Sequence, residues 1–133
     1  MNSYNAHLFY NGGYGLYKIL EENSLVLDIV EADSEPEYVA VGGFVNAHTH
    51  VGDSFIDLPP KLDVASLVGP GGYKHRMLNS VDEKTMIKGI KESIKTMKRE
   101  KVRAFFDFRE GGIKGLEIIN KIKIEGIEKV ILS

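Results

Sequence analysis

The sequence contains no cysteine among its 133 residues. It therefore cannot form a disulfide scaffold, a thiolate metal site or a cysteine nucleophile. No apolar run approaches the roughly 20 residues that a bilayer span needs. The N-terminus also lacks a basic flank before an apolar core, which is the pattern of a secretion signal. Together these absences predict a cytoplasmic protein.

The chain has no excess of charge of one sign. It has 17 lysine and arginine residues and 19 acidic residues, which gives a formal net charge of −2. A strongly basic balance is typical of proteins that bind nucleic acids or anionic membranes. We therefore expect neither a nucleic acid nor a membrane as a partner. Charged residues make up 27% and hydrophobic residues 43%, which favours a folded globular protein over a disordered one.

Turn signals divide the chain into two parts. Residues 1–41 contain short apolar runs separated by turn sequences, which predicts a small antiparallel β segment. Residues 42–133 begin with a buried strand at 44–51. The following segment, 52–79, contains several glycines and prolines, and we interpret it as a long loop with one helical turn near 63–68.

The last third of the sequence shows the clearest periodicity. Apolar residues recur at helical spacing after Ser80 and Glu83, which match an S-x-x-E capping box. Strands that alternate with helices favour a parallel sheet. The predicted elements are a helix over 81–100, a strand over 102–108, a helix over 112–123 and a strand over 129–133.

Two histidines, His48 and His50, lie at the end of the first apolar strand of the second part. Residues two apart on a strand point to the same face, so both imidazoles are expected to reach a common point. Paired neutral imidazoles are good ligands for zinc, iron, nickel or manganese. For an H-x-H pattern alone, two structural histidines that are hydrogen-bonded near a strand end are the alternative interpretation.

The residues around this pair resemble a known family signature. Residues 41–50, VGGFVNAHTH, are similar to the P-G-F-V-N-A-H-T-H signature of the amidohydrolase superfamily, with Gly42 where the family usually has proline. The superfamily contains metal-dependent deaminases and hydrolases of cyclic C–N substrates. The resemblance implies that His48 and His50 bind a divalent metal ion, zinc before iron, nickel or manganese. It also implies a metal-activated water that attacks a small cyclic substrate.

The resemblance implies a fold as well. In the family, this segment is the first strand of a (β/α)8 barrel, and the residues before it belong to a small β-sandwich. We therefore expect an α/β protein with residues 1–41 in a β-sandwich segment and residues 42–133 as the first βαβαβ part of an incomplete TIM barrel. A complete barrel takes roughly 250 residues. The family's further ligands, on strands five, six and eight, lie beyond the three barrel strands of this sequence.

The residue two positions after His50 indicates which branch of the superfamily the sequence resembles. The dihydroorotase and hydantoinase branch usually has an arginine there, whereas this chain has Gly52. An H-T-H form without that arginine is more similar to the deaminase and chlorohydrolase branch, which includes relatives of cytosine deaminase. The resemblance therefore implies a deaminase-like reaction at a single metal-bound water.

Other polar residues are candidates for supporting roles. The strand sequence FDFREGG contains Arg109 and Glu110, which we interpret as residues that orient the substrate or the histidines of the first strand. Asp53 and Asp107 are candidates for residues that orient the histidines without binding the metal themselves. A purely structural ion pair between Asp107 and Arg109 is an equal alternative.

The glycine-rich loop before the capping box adds one more candidate. It carries Lys74 and His75, either of which could contact substrate, and His75 is our third predicted substrate contact. A loop after the first strand can close over a binding site. A solvated basic loop without a binding role is the plainer interpretation.

Two functions of different class follow from the sequence. The first is the N-terminal part of a metal-dependent amidohydrolase, with little or no activity as the 133-residue chain. The second is a non-catalytic truncated product or fragment with a structural or oligomerising role. A partial barrel would expose strand edges and an aromatic interior face that includes Phe44 and Phe105. Because free edges recruit other chains, a homo-oligomer is expected in both cases.

Overall fold

The computed structural model describes residues 1–32, 34–57 and 61–132. Parts of a predicted turn, of the predicted loop and of the predicted last strand, at residues 33, 58–60 and 133, lie outside the described residues. The chain divides into two compact units, Met1–Gly42 and Gly43–Ser133.

The first unit is a four-stranded sheet in the order β3-β2-β1-β4. Its first three strands pair antiparallel, and the short fourth strand pairs parallel with the first. Asn11 and Gly12 have positive φ angles in the turn between the first two strands, a conformation that these residue types tolerate. The strands are β1 (Asn2–Tyr10), β2 (Gly13–Glu22), β3 (Leu25–Glu31) and β4 (Tyr38–Val39).

The second unit contains a three-stranded parallel sheet in the order β5-β6-β7. Its strands are β5 (Phe44–Thr49), β6 (Val102–Phe108) and β7 (Glu128–Leu132). Parallel neighbours need a crossover connection, and helices provide it between both strand pairs. The middle strand, β6, has the bounds that the alternation of its residues predicts.

Helices connect the strands of the second unit. Those in the described ranges are α1 (Val64–Val68), α2 (Tyr73–Ser80), α3 (Glu83–Arg99) and α4 (Gly112–Asn120), with a 3₁₀ turn at Val51–Asp53. Two of the helices, α3 and α4, were predicted, and α1 is the predicted helical turn. Within the part of the chain that is described, no helix combines the length and apolarity that crossing a bilayer requires.

The start of α3 differs from the predicted capping box. Ser80 is the last residue of α2, and its hydroxyl donates to the Met77 carbonyl at 3.1 Å. The N-cap of α3 is Asp82, whose carboxylate accepts from the Thr85 N–H at 2.9 Å and from its hydroxyl at 2.7 Å. The predicted box was wrong because a second capping sequence, D-x-x-T, overlaps the S-x-x-E pattern and satisfies the free amide.

The hydrophobic core of the second unit lies between the parallel sheet and helices α3 and α4. The helical spacing of α3 places Ile90, Ile94 and Met97 against Phe105 of β6 and Ile119 of α4. Helix α3 also passes close to the segment after the 3₁₀ turn. A Cβ at Gly89 would lie 2.6 Å from the Phe55 backbone nitrogen, so glycine permits this approach.

The prediction of a β-sandwich segment followed by an incomplete TIM barrel was wrong. The parallel sheet stays open, with β5 and β7 as outer strands, and no barrel forms among the described residues. Neighbouring strands rotate by about 20–25°, so three strands cannot bring a sheet back onto itself. The first unit is a single mixed sheet and not two facing sheets. The chain is an α/β protein in which strand residues outnumber helical ones over the described ranges.

The expected aromatic face is also corrected. Phe105 was predicted to face an exposed barrel interior, but its side chain is fully buried in the core with α3 and α4. Phe44 is exposed. Successive strand residues point to opposite faces, and the helices cover the face that carries Phe105.

Two isoleucines of α4 test this core assignment. Ile119 has 0% of its surface exposed, whereas Ile113 is 77% exposed. Ile119→Ala leaves a cavity, so we expect it to lower the free energy of unfolding by about 2–5 kcal/mol. Ile113→Ala is the matched control and should change it by about 0.5 kcal/mol or less. Denaturant unfolding measures both, and equal effects would contradict the described packing of α4.

Candidate functional site

His48 and His50 lie on the same side of the chain at the end of β5. Their Nε2 atoms are 3.1 Å apart, as the spacing of two residues predicts. A tetrahedral zinc with Zn–N bonds of about 2.0–2.1 Å separates two nitrogen ligands by about 3.3–3.4 Å. The observed nitrogen separation therefore suits a shared ion with little movement of either ring.

The last residue of β6 restrains the first of these rings. Phe108 stacks on His48 with ring centroids 4.2 Å apart and an angle of 23° between the planes. The His50 ring lies farther from it, at 6.1 Å. The alternation of residues along β6 predicts the direction of Phe108 but not its contact with a histidine of another strand.

Glu110 lies beside the second ring. Its Oε1 is 3.4 Å from His50 Nδ1, although Nδ1 forms no hydrogen bond within the described residues. The sequence predicted Glu110 as a substrate contact. The structure places its carboxylate beside the His50 ring.

Lys74, at the start of α2, lies beside Glu110. Lys74 Nζ is 2.8 Å from Asp53 Oδ2 and 2.7 Å from Glu110 Oε1. Partial burial alone would lower the pKa of Lys74, but the hydrogen bonds and charges of Asp53 and Glu110 outweigh it and raise the pKa. The ammonium therefore stays charged at neutral pH, and its contribution to stability is lost only as the pH rises through that elevated pKa.

The sequence predicted Lys74 only as an alternative to His75 for contact with substrate. The glycines of the preceding segment favoured a loop, yet residues 73–80 contain neither glycine nor proline. This run is long enough for two helical turns after Gly72, the N-cap of α2. Asp53, predicted as a partner of the histidines, bonds instead to Lys74.

Asp107 contacts the residues on both sides of His50, through the Val51 backbone and the Thr49 side chain. Its Oδ1 accepts the Val51 N–H at 2.6 Å and lies 3.2 Å from the Thr49 hydroxyl. The Thr49 hydroxyl also donates to the Phe106 carbonyl at 3.0 Å. Asp107 was predicted as an orienting partner, and in the structure its contacts are to the residues that flank His50.

Arg109 provides the charge opposite Asp107. Its Nη1 is 3.5 Å from Asp107 Oδ2, and only 1% of the Arg109 side chain is exposed. A Cβ at Gly52 would lie 1.3 Å from Nη2, so only glycine leaves space for this guanidinium. The predicted ion pair between the two residues is present, and the guanidinium is packed inside the protein between Asp107 and Gly52.

The three predicted substrate residues line one cavity. It has a volume of about 400 Å³ and lies between α2, the start of α3 and α4; His75, Arg109 and Glu110 all contribute to its wall. His75 Nδ1 accepts the Gly71 N–H at 3.2 Å. Because a neutral imidazole carries one N–H, this ring has its proton on Nε2.

The donor set at the histidine pair fits a divalent metal in kind and in spacing. Both donors are imidazoles, which suit zinc, iron, nickel and manganese. In the ranges 1–32, 34–57 and 61–132, no group of three or more histidine, cysteine, aspartate or glutamate side chains is placed to hold a metal ion. A catalytic zinc usually has three protein ligands, which is one more than the two imidazoles of this pair.

The chain is similar to archaeal proteins that are named as aminohydrolases. A "Putative aminohydrolase" of Archaeoglobus fulgidus is 43% identical over 104 residues, which cover 78% of this chain and 31% of that protein. A protein of the same name from Methanothermobacter thermautotrophicus is 33% identical over 79 residues, 58% of this chain and 21% of that protein. No family model matches the sequence.

A third relative is the uncharacterized protein MJ0699 of Methanocaldococcus jannaschii. It is 30% identical over 110 residues, which cover 77% of this chain and 29% of that protein. The chain thus spans about a third or less of the length of these curated relatives. Two of these three relatives carry the name aminohydrolase.

Gly52 tests the packing beneath the site. Gly52→Ala would place a methyl group on the Arg109 guanidinium, so we expect the free energy of unfolding to fall by about 1–3 kcal/mol. Gly42→Ala is the matched control, because a Cβ there meets no atom within 4 Å. Thermal and denaturant unfolding measure both variants. Equal stability of the Gly52 variant and the wild type would contradict the described position of Arg109.

Proposed function

We propose that this chain carries part of the active site of an aminohydrolase that cleaves a C–N bond of a small cyclic substrate. His48 and His50 are the proposed ligands of one divalent metal ion, zinc before iron, nickel or manganese. The observation that carries the proposal is the 3.1 Å separation of their Nε2 atoms. The likeness to proteins named as aminohydrolases supports the hydrolase class.

The reaction that suits this pair is a deaminase-like hydrolysis. A bound divalent metal supplies a water of lowered pKa, near 7, as the attacking group. The chain's own residues present two imidazole lone pairs at one point and hold them there. Phe108 restrains the His48 ring by stacking, and Asp107 fixes the backbone next to His50.

The neighbouring cavity supports a small-molecule substrate. Its volume of about 400 Å³ lies within the range of about 300–1,000 Å³ that is typical of ligand pockets. Leu78, Met86 and Ile118 give it apolar walls that suit a ring, while His75 and Glu110 are polar groups on the same wall. Glu110 also contacts His50, so a molecule in the cavity would lie beside the histidine pair.

We also propose that the chain acts as a homo-oligomer in the cytoplasm. The outer strands β5 and β7 each have one edge without a strand partner among the described residues, and such edges favour association. Light scattering at micromolar concentration should give a mass well above 14.8 kDa. A stable monomer of that mass would refute this part of the proposal.

Metal binding by the two histidines is the direct test. The wild-type chain should bind about one zinc ion per molecule, and the double variant His48→Ala/His50→Ala should bind none, because both donors are gone. The chain offers two matched controls, His7→Ala and His75→Ala, which should retain the metal. Elemental analysis after dialysis, together with zinc titration, measures the stoichiometry. Unchanged metal content in the double variant would refute the assignment.

A further inference from the structure

We propose that Lys74 is a positioning residue for His50. By holding Glu110 Oε1, it keeps the Glu110 carboxylate as the acceptor of the His50 Nδ1–H, and His50 then presents its Nε2 lone pair toward His48. This inference rests on the proposed function for its effect on metal affinity. The position of the proton is a property of the metal-free protein.

The surroundings of His50 Nδ1 point to Glu110 as its acceptor. Nδ1 is buried and has no hydrogen-bond partner within the described residues. A buried polar atom without a partner costs about 1–3 kcal/mol. The Glu110 carboxylate is 3.4 Å away through Oε1, and its Oε2 is buried and also lacks a partner. A small rotation of this carboxylate therefore satisfies two unpaired atoms at once.

Lys74 determines where that carboxylate lies. Glu110 follows the end of β6, and its side chain is 32% exposed, so the protein interior alone does not fix it. The Lys74 ammonium contacts Glu110 Oε1 at 2.7 Å and is itself only 15% exposed. A contact of this length between full charges is a charge-assisted hydrogen bond, about twice as strong as a neutral one.

A second carboxylate holds the lysine from the other side. Asp53, in the 3₁₀ turn that directly follows His50, bonds to Lys74 Nζ at 2.8 Å. The ammonium therefore bridges the segment after β5 and the segment after β6. These contacts lead from the turn after His50 through Asp53 and Lys74 to Glu110, whose Oε1 lies 3.4 Å from His50 Nδ1.

The proposed hydrogen bond from His50 Nδ1 to Glu110 determines which nitrogen of each ring carries the proton. A neutral imidazole has one N–H, so a proton on His50 Nδ1 leaves Nε2 as an acceptor. The 3.1 Å contact between the two Nε2 atoms then makes His48 the donor in the metal-free pair. An Nε2 lone pair that a carboxylate on Nδ1 keeps in place is the form of histidine that binds metals best.

The experiment is imidazole nitrogen NMR of the metal-free chain at about pH 8, where neutral histidine predominates. The wild type should show His50 mainly as the Nδ1–H tautomer. Lys74→Met and Glu110→Ala should shift the population toward Nε2–H, because they remove the carboxylate's anchor or the acceptor itself. Lys74→Arg should restore much of the wild-type population, since arginine can also bridge two carboxylates.

Lys121→Met is the matched control. Lys121 Nζ forms an ion pair of the same length, 2.7 Å, with Glu83 Oε1 at an exposed position. This variant also exchanges a lysine for methionine and loses one ion pair, so it should leave the His50 tautomer unchanged. An equal shift in the Lys121 and Lys74 variants would overturn the inference, because it would reflect a general loss of structure. Amide spectra verify that each variant is folded.

Zinc titration provides the second readout. Lys74→Met should weaken zinc affinity about 10–100-fold, the usual effect of losing an orienting partner, and Lys74→Arg should recover most of it. If zinc binds but the His50 tautomer is the same in wild type, Lys74→Met and Glu110→Ala, the inference fails and the proposed function stands. If the tautomer shifts as expected but the wild type binds no zinc, the positioning role stands and the proposed function fails.

Discussion

The buried carboxylate of Asp107 is the contact on which the geometry of the site depends. It accepts the Val51 N–H at 2.6 Å and joins the end of β6 to the chain directly after β5. A buried carboxylate is tolerated only with a compensating charge and hydrogen bonds. Arg109 supplies the charge, and Gly52 leaves the space that its guanidinium occupies. Loss of either Asp107 or Arg109 would leave the other as an uncompensated buried charge, which typically costs about 3–5 kcal/mol.

Two ionic groups with different environments therefore support the histidine pair. The Asp107–Arg109 pair is almost fully buried and fixes the backbone beside His50. The Lys74–Glu110 pair is partly exposed, and its carboxylate lies beside the His50 ring. Burial makes the first pair intolerant of change, whereas solvent access lets the second adjust by small rotations. The two pairs thus lie against different parts of this segment, the backbone after His50 and the His50 ring.

Local patterns in the sequence predicted the local parts of this structure. The placement of the two histidines follows from strand geometry over three residues, and the bounds of α3 and β6 follow from their periodicity within a few residues. Helix α2 was missed because the glycines before residue 73 dominated the interpretation of the segment. Lys74 was therefore predicted only as a loop residue that could contact substrate. The contact from Lys74 to Glu110 joins distant parts of the chain, and no pattern of neighbouring residues encodes it.

The barrel prediction failed for a different reason. A motif of ten residues carries information about one strand and its side chains, whereas closure of a sheet depends on the number, tilt and stagger of all its strands. Residues 41–50 therefore predicted the strand at the candidate site, but the described chain forms an open parallel sheet. The metal-ligand roles of His48 and His50 remain predictions, since no third donor joins them among the described residues.

The span of chain between His50 and Asp107 determines when the site can form during protein synthesis. Thr49 and Val51 meet Asp107 across 58 and 56 residues. Ribosomes add about 5–20 residues per second, so the histidines leave the ribosome roughly 3–11 s before their carboxylate does. During that interval the H-T-H segment has neither the strand partner nor the buried anchor that shapes it. The arrangement of the two imidazoles is therefore a late event, which follows the completion of β6 and cannot guide the folding that precedes it.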